Sequence, residues 1–128
     1  MELIIPEQMA EELLEHMRSQ LPYESVAFLL GSREGDRFTA EEIVKVGNAA
    51  HSSVEFAVDP QELYSVYMMG REIVGIFHSH PGPPVPSELD VFYMKLNPVP
   101  WLIASSVTDE LKAYVLEGGV SEIRVRVV

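Results

Sequence analysis

Cysteine is absent, and that gap removes several kinds of chemistry at once. It leaves no disulfide framework, no thiolate metal site and no cysteine nucleophile. The zinc nucleobase deaminases, which need cysteine ligands, are excluded on the same ground. A chain without cysteine suits a reducing compartment. Basic residues are scarce as well: 9 Lys and Arg stand against 20 Asp and Glu, for a net charge of −11. Such a chain repels phosphate backbones, and no basic run offsets this locally, so nucleic acid is not expected as a partner. The acidity favours solubility and a basic or lysine-bearing partner. No apolar run approaches the ~18 residues of a membrane span. The opening Met1-Glu2-Leu3-Ile4-Ile5-Pro6 has neither the cationic region nor the long apolar stretch of a signal peptide. A cytoplasmic location without membrane contact is the expectation. His-Glu-x-x-His, Gly-x-Ser-x-Gly and a Walker loop are missing too, as are internal repeats and low-complexity stretches.

What is there reads as one domain over residues 1–128. Apolar residues make up 47% and charged residues 23%, close to globular averages. A short apolar strand at residues 2–5 leads into a helix over 6–20. Met9, Leu13, Met17 and Leu21 recur every four residues there, with Ala10 and Leu14 widening the stripe. Glu7, Glu11 and Glu15 form its solvated face, and His16 reads as helix surface. Residues 23–30 predict a central strand, apolar on both faces from Val26. Residues 31–36 carry turn chemistry, and 38–46 predict the returning strand. A polar loop follows, then a short strand around 54–58. Asp59 caps a second helix, with Leu63, Val66 and Tyr67 on its buried face and Met68-Met69 packing at its end. The third strong strand runs over 72–80. Residues 81–86, four of them proline, can be neither helix nor inner strand and predict a stiff loop. Ser87 caps a third helix that ends near Asn97-Pro98. Strands at 101–105, 111–117 and 121–127 complete the order, with Arg124 and Arg126 on a wet face and Trp101 in the core. The order implies an α/β domain, a mixed sheet flanked by helices.

The chemistry concentrates around His78-Ser79-His80. Residues two apart on a strand share a face, so both imidazoles can converge at a strand end while Ser79 points away. Asp90 lies ten residues on, in the first turn of the third helix, and the proline loop can fold that turn back over the strand. Two histidines and an aspartate would hold zinc and leave its fourth tetrahedral position for water. A plainer reading stands beside this one. Ser87 and Asp90 also make a serviceable capping pair, and the histidines can be strand ends satisfied by backbone groups.

These strings carry a resemblance. His78-Ser79-His80-Pro81 followed by Pro86-Ser87-Glu88-Leu89-Asp90 is similar to the signature of the JAMM (MPN+) metalloproteases. The upstream segment Pro22-Tyr23-Glu24-Ser25-Val26-Ala27-Phe28-Leu29-Leu30-Gly31 resembles the family's strand that opens with a catalytic glutamate. So do Glu72 to Phe77 leading into the histidines, and Asn48 through Asp59-Pro60 between them. The similarity spans roughly residues 1–117. Two departures are visible: six residues separate His80 from Ser87, where many members have seven, and Ala27 stands where glycine is common. Neither removes a ligand.

The resemblance implies a deaminase-like (JAMM/MPN) fold and zinc-dependent cleavage after the C-terminal tail of a ubiquitin-like protein. His78, His80 and Asp90 are the implied zinc ligands. Glu24, by itself only a strand-edge carboxylate, is the implied proton carrier. Ser87 is the implied donor to the oxyanion. The small prokaryotic and archaeal members it resembles imply small archaeal modifier or sulfur-carrier proteins as partners, and a homodimer. Two alternatives come with it. One is a peptidase that trims a sulfur carrier in cofactor or cysteine metabolism. The other is a non-enzymatic MPN scaffold, whose usual mark is loss of the very ligands this chain keeps. His51, in the polar loop, reads as a surface residue.

Overall fold

In the computed structural model, residues 1–52 and 57–128 are described. The elements in chain order are β1 (Glu2–Ile5), α1 (Glu7–Gln20), β2 (Val26–Glu34), β3 (Arg37–Val46), α2 (Pro60–Met68), β4 (Glu72–His80), α3 (Glu88–Leu96), β5 (Trp101–Ser105), β6 (Leu111–Leu116) and β7 (Val120–Val127). The strands form one mixed sheet in the order β1-β3-β2-β4-β5-β6-β7, and β1 pairs with β7 to close it into a ring. Parallel pairs join β1 to β3, β1 to β7 and β4 to β5, and the other ladders are antiparallel. A mixed sheet was the expectation; its closure is an addition that follows from pairing between distant segments.

Side chains alternate across this sheet and build two cores. Ala27, Leu29, Phe77, Leu102 and Ala104 face α1, where Ala10, Leu13 and Met17 cover them. Val26, Phe28, Leu30, Ile76, Trp101 and Ile103 face the opposite way and pack with Val66 of α2 and Met94 of α3. The central strands are apolar on both faces because both faces are covered.

Several sequence expectations change in detail. The segment over 31–36 is not all turn. The strand continues to Glu34 through a bulge at Leu30/Gly31, and Gly35-Asp36 alone makes the hairpin turn. Gly31 is required there, since a Cβ would lie 1.9 Å from the Thr39 carbonyl oxygen. At its other end, β2 begins at Val26 rather than at Tyr23. His16 is buried, not surface, because the start of β2 crosses α1 and offers the Val26 carbonyl 2.9 Å from its Nε2. Of the face expected to be buried on α2, Val66 is; Tyr67 and the Met68-Met69 pair are exposed, because this nine-residue helix presents only a narrow stripe to the sheet. Of the strand expected around 54–58, residues 54–56 lie outside the described residues, and 57–58 belong to no regular element. Glu7, Glu11 and Glu15 are exposed as expected. No helix among the described residues is long and apolar enough to cross a membrane.

Candidate functional site

The C-terminal end of β4 carries His78 and His80 on the same face as Ile76, toward α2 and α3. His78 is fully buried, with its ring edge-on to Trp101 at 5.5 Å. After β4 the chain enters the proline loop, and the Tyr114 hydroxyl pins it by donating to the buried Pro84 carbonyl at 2.6 Å. Ser87 then caps α3. Its Oγ accepts from the Asp90 N–H at 3.1 Å, while Asp90 Oδ2 accepts from the Ser87 N–H at 2.9 Å. The capping box expected as the plainer reading is therefore present, and it has a second consequence. It turns the Asp90 carboxylate inward, onto the histidines.

Three ligand-type atoms meet there. His78 Nε2 and His80 Nε2 are 2.9 Å apart, and Asp90 Oδ2 is 3.1 Å from the first and 3.0 Å from the second. Hydrogen bonds alone serve this triangle poorly. Asp90 is ionised, so at most two imidazole protons are available for three edges, and one edge always brings two lone pairs or two protons together. A cation in contact with all three atoms removes that conflict, and two imidazole nitrogens with a carboxylate are a donor set suited to zinc.

Charge at Asp90 and His78 supports the same picture. Burial works against ionisation of Asp90. Hydrogen bonds from His78 and His80, with the Ser87 N–H, outweigh it and hold the carboxyl far below the usual carboxylate range. Burial drives the His78 pKa down, which favours the neutral form that binds metals. At His80 burial acts the same way, but the Asp90 hydrogen bond and the nearby Asp90 and Glu24 charges overcome it and raise the pKa.

Glu24 lies just before β2, and its side chain is buried. One carboxylate oxygen falls within 4.8 Å of ring nitrogens of both histidines. Asp90 makes much the closer contacts, which favours it over Glu24 as the third ligand. A cleft of about 310 Å3 opens in front of these groups, lined among others by Glu24, His80, Gly82, Val85 and Ser87. Of the five site residues singled out from the sequence, Glu24, His80 and Ser87 line the cleft, and His78 and Asp90 meet His80 behind it. His51 is exposed and stacks on Tyr23, with ring centroids 5.4 Å apart. Trp101 is core, as expected, and its Nε1–H donates to the Asn97 carbonyl.

Three further residues support the cleft and were not singled out. Tyr114 is the loop anchor. Ser79 faces away from the cleft and accepts from the Ser25 N–H and Oγ–H, each at 2.9 Å, tying the start of β2 to the histidine pair. Asn48 sits behind Glu24. Strand alternation already turned Ser79 away from the histidines, and Asn48 opened a segment matched in the resemblance without being given a role; nothing local distinguished Tyr114.

A ring of seven strands with this cluster at the end of β4 defines a class. Residues 6–117 match the family of prokaryotic homologues of the JAB domain, and the chain belongs to that family. Within it, the chain is similar to the protein named Desampylase from Pyrococcus furiosus, at 35% identity over 130 residues, covering 96% of this chain and 89% of that one. The solution structure of a Desulfitobacterium hafniense protein superposes with a TM-score of 0.82 at 31% identity, covering 98% of this chain and 92% of the other. A JAB1/MPN domain protein from Archaeoglobus fulgidus shares the fold, with a TM-score of 0.62 at 23% identity over 96% of this chain and 95% of that one.

Proposed function

We propose that this protein is a zinc-dependent isopeptidase or peptidase that cleaves after the C-terminal tail of a ubiquitin-like modifier. The observation that carries the reading is the His78–His80–Asp90 triangle beside buried Glu24. The 35% identity to Desampylase supports the substrate class. His78, His80 and Asp90 would hold the zinc, which supplies polarisation of the scissile carbonyl and acidification of water. Glu24 takes a proton from the attacking water as its oxygen bonds to the carbonyl carbon. It then gives that proton to the lysine amine as the carbon–nitrogen bond breaks. The Ser87 Oγ accepts from the Asp90 N–H, so its own O–H is left to donate to the oxyanion. Cap and oxyanion donor are compatible in one hydroxyl. The proline-lined cleft suits a glycine-rich tail, which has no side chains to clash.

Glu24→Gln tests this directly. Glutamine keeps the size but cannot relay a proton, so turnover of a modifier-tail fusion should fall about 10²–10⁴-fold. Zinc content and tail affinity should stay at the parent's values. Cleavage within about threefold of the parent would mean another group carries the proton. A scaffold protein would show no turnover to lose, and a sulfur-carrier peptidase would prefer that carrier in a side-by-side cleavage panel.

A further inference from the structure

Glu24 lies outside the regular pairing of β2, which begins two residues later. Its backbone is held by other means. The Glu24 N–H donates to the Ser52 carbonyl at 2.8 Å, and the Glu24 carbonyl accepts from the Asn48 Nδ2 at 3.0 Å. The same Nδ2 donates to the Ser52 carbonyl at 3.2 Å, so one amide group touches both partners in this contact. On its other side, Asn48 Oδ1 accepts from the Ala50 N–H at 3.0 Å and from the Ala57 N–H at 3.1 Å. Asn48 is itself buried, only 4% exposed. Across the peptide from it, Ser79 holds Ser25 against β4.

From this clamp we propose that Asn48 is a positioning residue for Glu24. The inference rests on the reading of Glu24 as the proton carrier. Its chemistry is specific to asparagine, because the two sides of the site make opposite demands. Two carbonyl oxygens face it on one side and two amide protons on the other, and a carboxamide of this length bonds to both sides. Aspartate would keep the acceptors and set an oxygen against the Glu24 and Ser52 carbonyls. Asn48 does not line the cleft in front of His80 and Ser87, so its loss should reach the reaction only through Glu24. Misplacement of a reacting group by ~1 Å costs up to about 10²-fold in rate, which sets the scale of the effect.

The test compares parent, Asn48→Ser and Asn48→Asp as intact, zinc-loaded proteins on a modifier-tail fusion. Both variants should lose about 10- to 100-fold in kcat, with KM and zinc content within about twofold of the parent. A second readout uses the same proteins without metal: the Glu24 amide should exchange at least about tenfold faster, while exchange along β4 is unchanged. Asn48→Asp is the sharper variant, because it retains the acceptor for Ala50 and Ala57 and loses the donor to Glu24 and Ser52. Asn48→Asp with kcat within about threefold of the parent would overturn the proposal, as would unaltered Glu24 exchange in both variants. Rate loss that tracks zinc loss, or unfolding of both variants, would make Asn48 a residue of the fold alone and overturn it too. If the parent cleaves no modifier tail, the functional reading fails, and the exchange measurement still decides whether Asn48 holds Glu24.

Discussion

The two faces of the sheet do different work. Toward α1, 16 of the described residues form one buried apolar cluster, and the buried His16 on that side bonds to the Val26 carbonyl. Toward α2 and α3 ten of the described residues form the apolar cluster, and its end is given over to His78, His80 and Asp90. A buried polar cluster costs stability unless every member is paired, so this face carries a cost that the α1 face does not. The outer surfaces of α2 and α3 repeat the contrast, with Tyr64, Tyr67, Met68, Phe92 and Leu96 all exposed. Stability and chemistry are therefore separable by face, and substitutions can show it.

The largest effect is expected at Asp90→Ala. It removes one corner of the triangle and one arm of the capping box, so bound zinc measured by elemental analysis should fall to background and turnover should vanish. Full occupancy in this variant would break the division by returning chemistry to residues outside the triangle. Ser87→Ala comes next. Loss of an oxyanion donor costs about 10²–10³-fold in kcat, and loss of the cap costs about 1 kcal/mol in stability. Zinc should be retained, which distinguishes this variant from Asp90→Ala.

On the α1 face the signs reverse. Leu13 is fully buried, and Leu13→Ala should cost about 2–5 kcal/mol of unfolding free energy in urea titration. Turnover per folded molecule should stay at the parent's value; a parallel loss of kcat would show that the two faces are coupled. His16→Leu is the mildest. Leaving the Val26 carbonyl without its donor should cost about 1 kcal/mol at neutral pH. Burial lowers the His16 pKa below its unfolded value. Its stabilising contribution is therefore complete above the unfolded pKa and is lost as pH falls through the lowered folded value. The difference between parent and His16→Leu should accordingly shrink under acid, measured as unfolding midpoints at neutral and acidic pH.

Much of this architecture was legible because strands covered on both faces write continuous apolar runs, as in Val26 to Leu30 and Val74 to Phe77. The clustering of His78, His80 and Asp90 was legible from strand alternation and a capping position, two rules of short range. What escaped depends on distant segments meeting. His16 looked like surface because the strand that covers it lies ten residues away, and Asn48 looked like loop because its bonds to Glu24 cross 24 residues. The Leu30/Gly31 bulge escaped because glycine in a polar stretch signals a turn as readily as a close approach to Thr39. Ring closure escaped for the plainest reason: no local pattern says that residues 2–5 will lie between two other strands.

That closure has a consequence for the order in which the molecule assembles. β1 pairs Glu2 with Arg124 and Ile5 with Val127, so the seam joins segments from opposite ends of the chain. Hairpins such as β2–β3 and β6–β7 can zip locally, but the seam must wait until β7 exists and has been brought back across nearly the whole sequence. Until then β1 and β7 are open edges, able to recruit another chain's strand; afterwards each is covered. The hazardous interval for this protein is therefore late in folding. The excess of acidic side chains along the chain, by making two unfinished molecules repel each other, protects it during that interval.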